Sequence, residues 1–267
     1  MKTPLSIIII GSGNIAHHIA LSFHEKKEVK ISGIFNHRKT KQAAEFAKQN
    51  HLDLITDYKN ISANADVYFV CVKDEAIAEV AKNIASLGLK GLVVHTSGST
   101  GLSALSKVSA HVGVYYPLQS FSKNDHINWK DTPVLLEGNS KKSLVLLTSL
   151  ADLVSNIVKK IDSEKRLQLH LAAVFACNFT NALYASAFEL IEQNLDKKDT
   201  GLLQPIMLQS FNKLQKMSPK QAQTGPAMRN DKVVMKKHLD LLKTNKELTA
   251  VYKLLSKLII SQQSSSK

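Results

Sequence analysis

Side chains suited to moving a proton stand where apolar runs end. His95 closes the run from Leu92 to Thr96 and is followed by Ser97, Gly98 and Ser99. An imidazole at that place titrates near neutral pH and can donate a proton while a hydride moves, or orient the group that does. The hydroxyls and N–H groups of the Ser-Gly-Ser turn can hold a carboxamide or carboxylate, a contact assigned to Ser97. Gln119, within the stretch Tyr115 to Phe121, leaves the next apolar run at the same edge. A second polar set interrupts an apolar helix: His170, Cys177 and Asn181 recur at i, i+7 and i+11 and so share a stripe, with Asn178 beside it. Unpaired buried amides are costly, so this stripe needs partners, either a substrate or other helices. In the turn Gln223 to Asp231, Thr224 and Arg229 offer a hydroxyl and a carboxylate clamp, and Asp231 suits a helix N-cap. The candidate proton donors are thus His95 and His170. The candidate substrate contacts are Gln119, Asn178, Asn181, Thr224 and Arg229, and no metal is expected.

A second chemistry belongs to the N-terminus. Leu5 to Ile10 is continuously apolar and β-branched, the pattern of a short strand buried on both faces. Gly11, Ser12 and Gly13 follow, and Asn14 to about Glu25 has helical spacing, with Ile15, Ile19 and Phe23 on one face. Strand, glycine turn and helix in this order form a dinucleotide site. Gly11 permits the tight turn, Gly13 lets a pyrophosphate approach, and Ala16 keeps helix and strand close. Gly11, Ser12, Gly13, Asn14 and Ile15 are therefore assigned to the cofactor. The second strand ends in Asn36, His37, Arg38 and Lys39, without the acid that would take the ribose hydroxyls of NAD. A guanidinium can grip a 2′-phosphate where a carboxylate would repel it. This selects NADP, with Asn36, His37 and Arg38 around the phosphate. The backbone at Val72 would run under the middle of the cofactor, and Cys71 reads as a packed core thiol.

The elements that must hold these residues alternate. Strands are expected at 30–35, 54–56, 66–72, 92–96, 112–116 and 133–137, with helices at 39–50 and 75–86, and a last strand at 156–161. That rhythm is α/β: a doubly wound, mostly parallel sheet with ligands at the carboxyl ends of its strands. From Ser163 helical periodicity takes over, broken near Gly201, Pro219 and Gly225. The chain thus divides into a nucleotide-binding domain, residues 1–162, and an all-α substrate and dimerisation domain, residues 163–267. The tail Ser264 to Lys267 is expected to fray.

Composition sets the class. A chain of 267 residues with 44% hydrophobic content builds a core without difficulty. Two cysteines in apolar surroundings fit a reducing cytosol and argue against a disulfide framework. The apolar run at the N-terminus is too short for a signal peptide. Leu167 to Ile191 is long enough for a membrane span, but its His170, Asn178, Asn181 and Glu189 favour a core helix. The formal charge of +13 comes almost wholly from scattered lysines, for only three of the 35 basic residues are arginines. Without clustering or aromatic interleaving this is a solvated surface rather than a nucleic-acid reader.

The paired "HTSG" and "YYPLQSF", the helix "ACNFTNAL" and the turn "TGPAMRND" together resemble a family of NADP-dependent oxidoreductases. Its members join a Rossmann domain to a helical domain of unknown function. More distantly the chain is similar to pyrroline-5-carboxylate reductase and to the 3-hydroxyisobutyrate and 6-phosphogluconate dehydrogenases. The resemblance implies a helical domain like the C-terminal one of 6-phosphogluconate dehydrogenase, a homodimer, and a cleft between domains in which a small carbonyl or imine takes a hydride. The hydroxyacid dehydrogenases carry a helix lysine about four residues before an asparagine. Here Val174 and Cys177 occupy those places, which argues against hydroxyacid chemistry. The competing reading is an NADP-binding sensor or scaffold without redox activity.

Overall fold

A computed structural model describes residues 3–264. The tail expected at its end lies outside the described residues, apart from Ser264, which closes the last helix. One compact unit ends at Asn178 and a second begins at Phe179.

The first unit is built on eight strands: β1 (Leu5–Ile10), β2 (Val29–Phe35), β3 (Leu54–Ile55), β4 (Val67–Val70), β5 (Leu92–His95), β6 (Val112–Pro117), β7 (Val134–Gly138) and β8 (Val158–Lys160). Their order across the sheet is β3-β2-β1-β4-β5-β6-β7-β8. All neighbours run parallel except β6 and β7. The chain proceeds outward from β1 to β3 and then returns to β4, which places the switch point between β1 and β4. Ligands bind at the carboxyl ends of the strands at such a point.

The four isoleucines of β1 are explained by burial on both faces, as parallel sheets require. Ile7 and Ile9 join one core layer, built against α1 (Asn14–Phe23), α2 (Lys41–Gln49) and α4 (Lys141–Asp152). Ile8 and Ile10 join the opposite layer, built against α3 (Asp74–Ala85). Ala16 is fully buried in the first layer. Cys71 is packed there too, and burial pushes its thiol up to about 12, so it is an inert core residue.

The change of grammar falls at α5 (Ser163–Ala173), whose N-cap is Asp162. This first compact unit continues past residue 162 and takes in α5. A six-residue π-helical turn, Val174–Phe179, follows. The second unit holds α6 (Thr180–Asn194), α7 (Gln204–Leu214), α8 (Pro219–Ala222), α9 (Lys232–Leu241) and α10 (Lys246–Ser264). Ser218 and Gln221 form a capping box at α8, Gly225 takes a positive φ of 103°, and Asp231 caps α9 through the N–H of Val234.

The expected core helix is corrected. The stretch Ser163–Asn194 is long and apolar enough to cross a membrane by length and composition alone, yet its apolar window is not buried in the single chain. Leu167, Leu171 and Leu183 are all exposed. The α-helical stripe of His170, Cys177 and Asn181 is corrected as well. A π turn holds more residues per turn than the 3.6 on which that spacing rests, so the three do not keep one face.

Candidate active site

A groove of ≈ 950 Å³ opens at the carboxyl ends of β1, β2 and β4. It brings together Gly11, Ser12, Gly13, Asn14, Ile15, Asn36, His37, Arg38 and Val72, nine of the ten residues read as cofactor contacts. Its size suits a small-molecule or cofactor site.

Local chemistry explains its walls. Gly11 has φ +117° and its N–H donates to the Phe35 carbonyl at 2.8 Å. A Cβ there would stand 2.2 Å from the carbonyl oxygen of Cys71, so only glycine fits. Gly13 is the N-cap of α1, without a side chain to cap the first N–H groups, and a Cβ on it would meet open space. Free donors facing open space are what a pyrophosphate needs. Asn36 organises the far wall: its amide donates to the Arg38 carbonyl at 2.7 Å and its Oδ1 accepts from the Ser12 hydroxyl at 3.3 Å. Thr40 then caps α2. No acid follows β2, and the exposed Arg38 stands at the groove wall in its place. The residues present fit NADP.

The groove is leashed to the segment after β6. The Asn14 amide donates to the Phe121 carbonyl at 2.9 Å, and His18 Nε2 lies 2.8 Å from the Ser122 carbonyl. Phe121 itself lines the groove.

Beyond Val72, Lys73 and Glu75 line the groove; Asp74 between them does not, and its carboxylate accepts from the Ser99 hydroxyl. This links the start of α3 to the loop after β5. Ser97 lies in that loop, outside the groove. Its hydroxyl accepts from the N–H groups of Ser99 and Thr100 and donates to Thr100 Oγ1, so it serves the loop's own fold.

His95, read as a candidate proton donor, lies inside the fold of this loop. It has no solvent exposure, and its Nδ1 accepts from the Ser97 N–H at 3.2 Å. Burial, reinforced by the Arg166 guanidinium, lowers its pKa to about 4 against the pull of the Gly101 backbone, Asp74 and Glu137. The ring is therefore neutral at pH 7, with its proton on a buried Nε2 that makes no hydrogen bond of normal geometry. In this position it shapes the loop and offers no exposed atom to a substrate.

Two features escaped the sequence reading. Tyr116 Oη and His170 Nδ1 lie 3.0 Å apart, both half-buried, with their rings edge to face. Gly98 is pressed against them: a Cβ there would fall 2.7 Å from His170 Nδ1 and 2.8 Å from Tyr116 Cζ. Four residues before His170, one helical turn, Arg166 is fully buried. It donates to Glu137, to the Thr100 carbonyl at 2.6 Å and to Ser163 Oγ at 3.3 Å. Its rarity, one of three arginines in a lysine-rich chain, was the available signal. For Tyr116 the signal was its place near the end of β6.

Among the proposed substrate contacts in this unit, Gln119 and Asn178 are exposed and line no part of the groove. In the second unit Asn181, Thr224 and Arg229 are exposed. No group of three or more His, Cys, Asp or Glu side chains suited to a metal occurs among the described residues.

Comparison with known proteins agrees with this geometry. Residues 6–97 match the family model described as NADP oxidoreductase, coenzyme F420-dependent. Residues 132–259 match a domain of unknown function, DUF2520. No curated protein matches the chain. Among solved structures, an inferred NADP oxidoreductase from Bacteroides fragilis is 35% identical, with a TM-score of 0.89 over 97% of this chain and 99% of that one. An imine reductase from Myxococcus stipitatus in complex with NADP+ is 14% identical, with a TM-score of 0.67 over 98% and 95%. A pyrroline-5-carboxylate reductase from Coxiella burnetii is 17% identical, with a TM-score of 0.59 over 100% of both chains. The last two share the fold. The chain therefore belongs to the NADP oxidoreductase family in which a Rossmann-like domain precedes a DUF2520 domain, and its cofactor is NADP.

Proposed function

We propose that the protein is an NADPH-dependent reductase of a small carbonyl or imine. Residues 1–162 would bind the nucleotide, and residues 163–267 would contact the substrate and a second copy of the chain. The observation that carries this reading is the groove holding Gly11, Gly13 and Arg38, joined through Asp74 and Ser99 to a loop beside paired phenol and imidazole groups. Bound in that groove, the reduced nicotinamide supplies a hydride to an electrophilic carbon. The chain's part is to hold the phosphates on the first turn of α1, to select the 2′-phosphate with Arg38, and to bring a proton to the reacting heteroatom. The imine reductase and pyrroline-5-carboxylate reductase among its structural neighbours make an imine an apt first substrate class.

One observation favours the second reading, an NADP-binding sensor without turnover: His95, the strand-end imidazole, is buried and neutral. Oxidation of NADPH against a panel of small carbonyls and cyclic imines separates the two. Turnover of any member supports the reductase. Tight NADPH binding with no turnover across the panel supports the sensor.

A further inference from the structure

We infer that Tyr116 and His170 form the proton-delivering pair of this site, with Tyr116 touching the substrate heteroatom and His170 restoring its proton. The inference rests on the reductase reading above. Tyr116 stands one residue before the end of β6 and two residues beyond Val114, which pairs with His95 in the neighbouring strand. It therefore stands further toward the carboxyl edge than His95. Its neighbour Tyr115 packs edge to face on Phe69 in the core, and alternation along the strand turns Tyr116 to the opposite face. There its Oη meets His170 Nδ1 at 3.0 Å. Both rings keep partial exposure, whereas His95 has none.

The pair is built rather than incidental. Gly98 leaves no room for a Cβ, so the loop backbone lies flat against both rings. Arg166 ties α5 to Glu137 of β7 and to the Thr100 carbonyl, fixing the helix that carries His170 against the loop after β5. Burial, with Asp74 adding and Arg166 opposing, raises the Tyr116 pKa, so the phenol holds its proton at neutral pH. Asp74 also ties this loop, through Ser99, to the start of α3, whose Glu75 and Ala76 line the groove.

The step balances as follows. The substrate carbon takes a hydride, two electrons with one hydrogen, while the C=O or C=N π pair moves to the heteroatom. That atom takes the Tyr116 proton. The phenolate oxygen recovers a proton from Nδ1–H of the protonated His170 ring, which is left neutral, and that ring then takes one H+ from bulk solvent, the one proton consumed per turnover. This requires Nδ1 to carry hydrogen, leaving the Tyr116 O–H free to point at substrate.

Two measurements test it. The first is ¹⁵N NMR of the protein loaded with NADP+. His170 Nδ1 should carry hydrogen at neutral pH, and Tyr116→Phe should move the His170 Nδ1 resonance. A neutral ring with a bare Nδ1 overturns the inference, because Tyr116 would then spend its proton on the histidine. The second is turnover of pyruvate and of 2-methyl-1-pyrroline, the latter above the imine's own pKa. Tyr116→Phe should lower kcat at least about a hundredfold while NADPH affinity, read by fluorescence titration, stays within about twofold. Turnover by the variant at the wild-type rate overturns the inference and leaves the reductase reading standing. A wild-type protein that binds NADPH and reduces neither probe overturns that reading, and the catalytic role of the pair with it.

Discussion

Arg166 and Glu137 form an ion pair in which the guanidinium has no exposure and the carboxylate only 17%. Removing one partner strands the other charge, at a cost of about 3–5 kcal/mol. Arg166→Met should therefore lower unfolding free energy by about that amount in urea titration. Adding Glu137→Leu should restore much of the loss, since a well-packed apolar pair can replace a buried ion pair. A single variant within about 1 kcal/mol of the parent would show that the pair is not needed.

Two glycines of one turn should respond in opposite ways. Gly11→Ala meets a backbone oxygen at 2.2 Å and a φ of +117°, so it should destabilise the fold by at least about 1–3 kcal/mol. Gly13→Ala meets nothing within 4 Å and should melt like the parent, yet bind NADPH more weakly because its methyl group occupies the space left for the pyrophosphate. Thermal melts and calorimetric titration of both variants distinguish the two effects. Equal behaviour would mean that the pyrophosphate lies elsewhere.

Arg38 has its consequence in cofactor choice. A charge-assisted phosphate contact contributes about 1.5–3 kcal/mol, so Arg38→Ala should weaken NADPH binding about tenfold to a hundredfold and leave NADH binding nearly unchanged. Equal losses for both cofactors in calorimetry would refute the assignment.

Stability should depend on pH through His95. Unfolded, the imidazole takes its proton near 6.5; folded, it resists until about 4. Between these values the unfolded chain binds more protons, so stability falls as pH drops from 6.5 toward 4 and is complete above that window. The contribution is about 3 kcal/mol, and His17, whose pKa is lowered by burial and then by His18 and Lys123, acts in the same direction. Urea midpoints at pH 7.5 and 4.5 should lie far apart for the parent and closer together for His95→Asn. An unchanged gap would assign the dependence to other groups.

The second unit should associate with a copy of itself. Leu202, Ile206, Leu208 and Phe211 are all more than half exposed, as is Leu254 of α10, and so much apolar surface is unusual for a monomer. Light scattering at micromolar concentration should give about 59 kDa, twice the chain mass of 29.5 kDa. A 29.5 kDa particle would sink this expectation.

Much of the fold could be read from local patterns. The strand Leu5–Ile10 was placed residue for residue, and the helix starting at Asn14 differed from expectation only at its C-terminal end. The groove followed from glycines and an arginine within one βαβ unit, whose members are close in sequence. The proton-bearing pair was not legible, because Tyr116 and His170 are 54 residues apart and nothing in either neighbourhood announces the other. The burial of His95 was hidden for a related reason. Its position at a strand end was visible, but its complete burial depends on tertiary packing that the strand pattern does not show. The stripe on the long helix failed because a π turn leaves no mark in a hydrophobic pattern read at 3.6 residues per turn.

The register of the sheet carries one more meaning. His95, Val114 and Glu137 stand in a row across β5, β6 and the reversed β7. Side chains opposite one another in a sheet share a face, and a slip of one residue moves a strand's entire set to the other face. If β7 slipped by one against β6, Leu136 would leave the core layer and the Glu137 carboxylate would enter it, far from any guanidinium. The ion pair with Arg166 thus acts as a checksum on strand alignment. A misaligned chain would bury a lone charge, and once α5 docks with its guanidinium that register would be rejected by several kcal/mol.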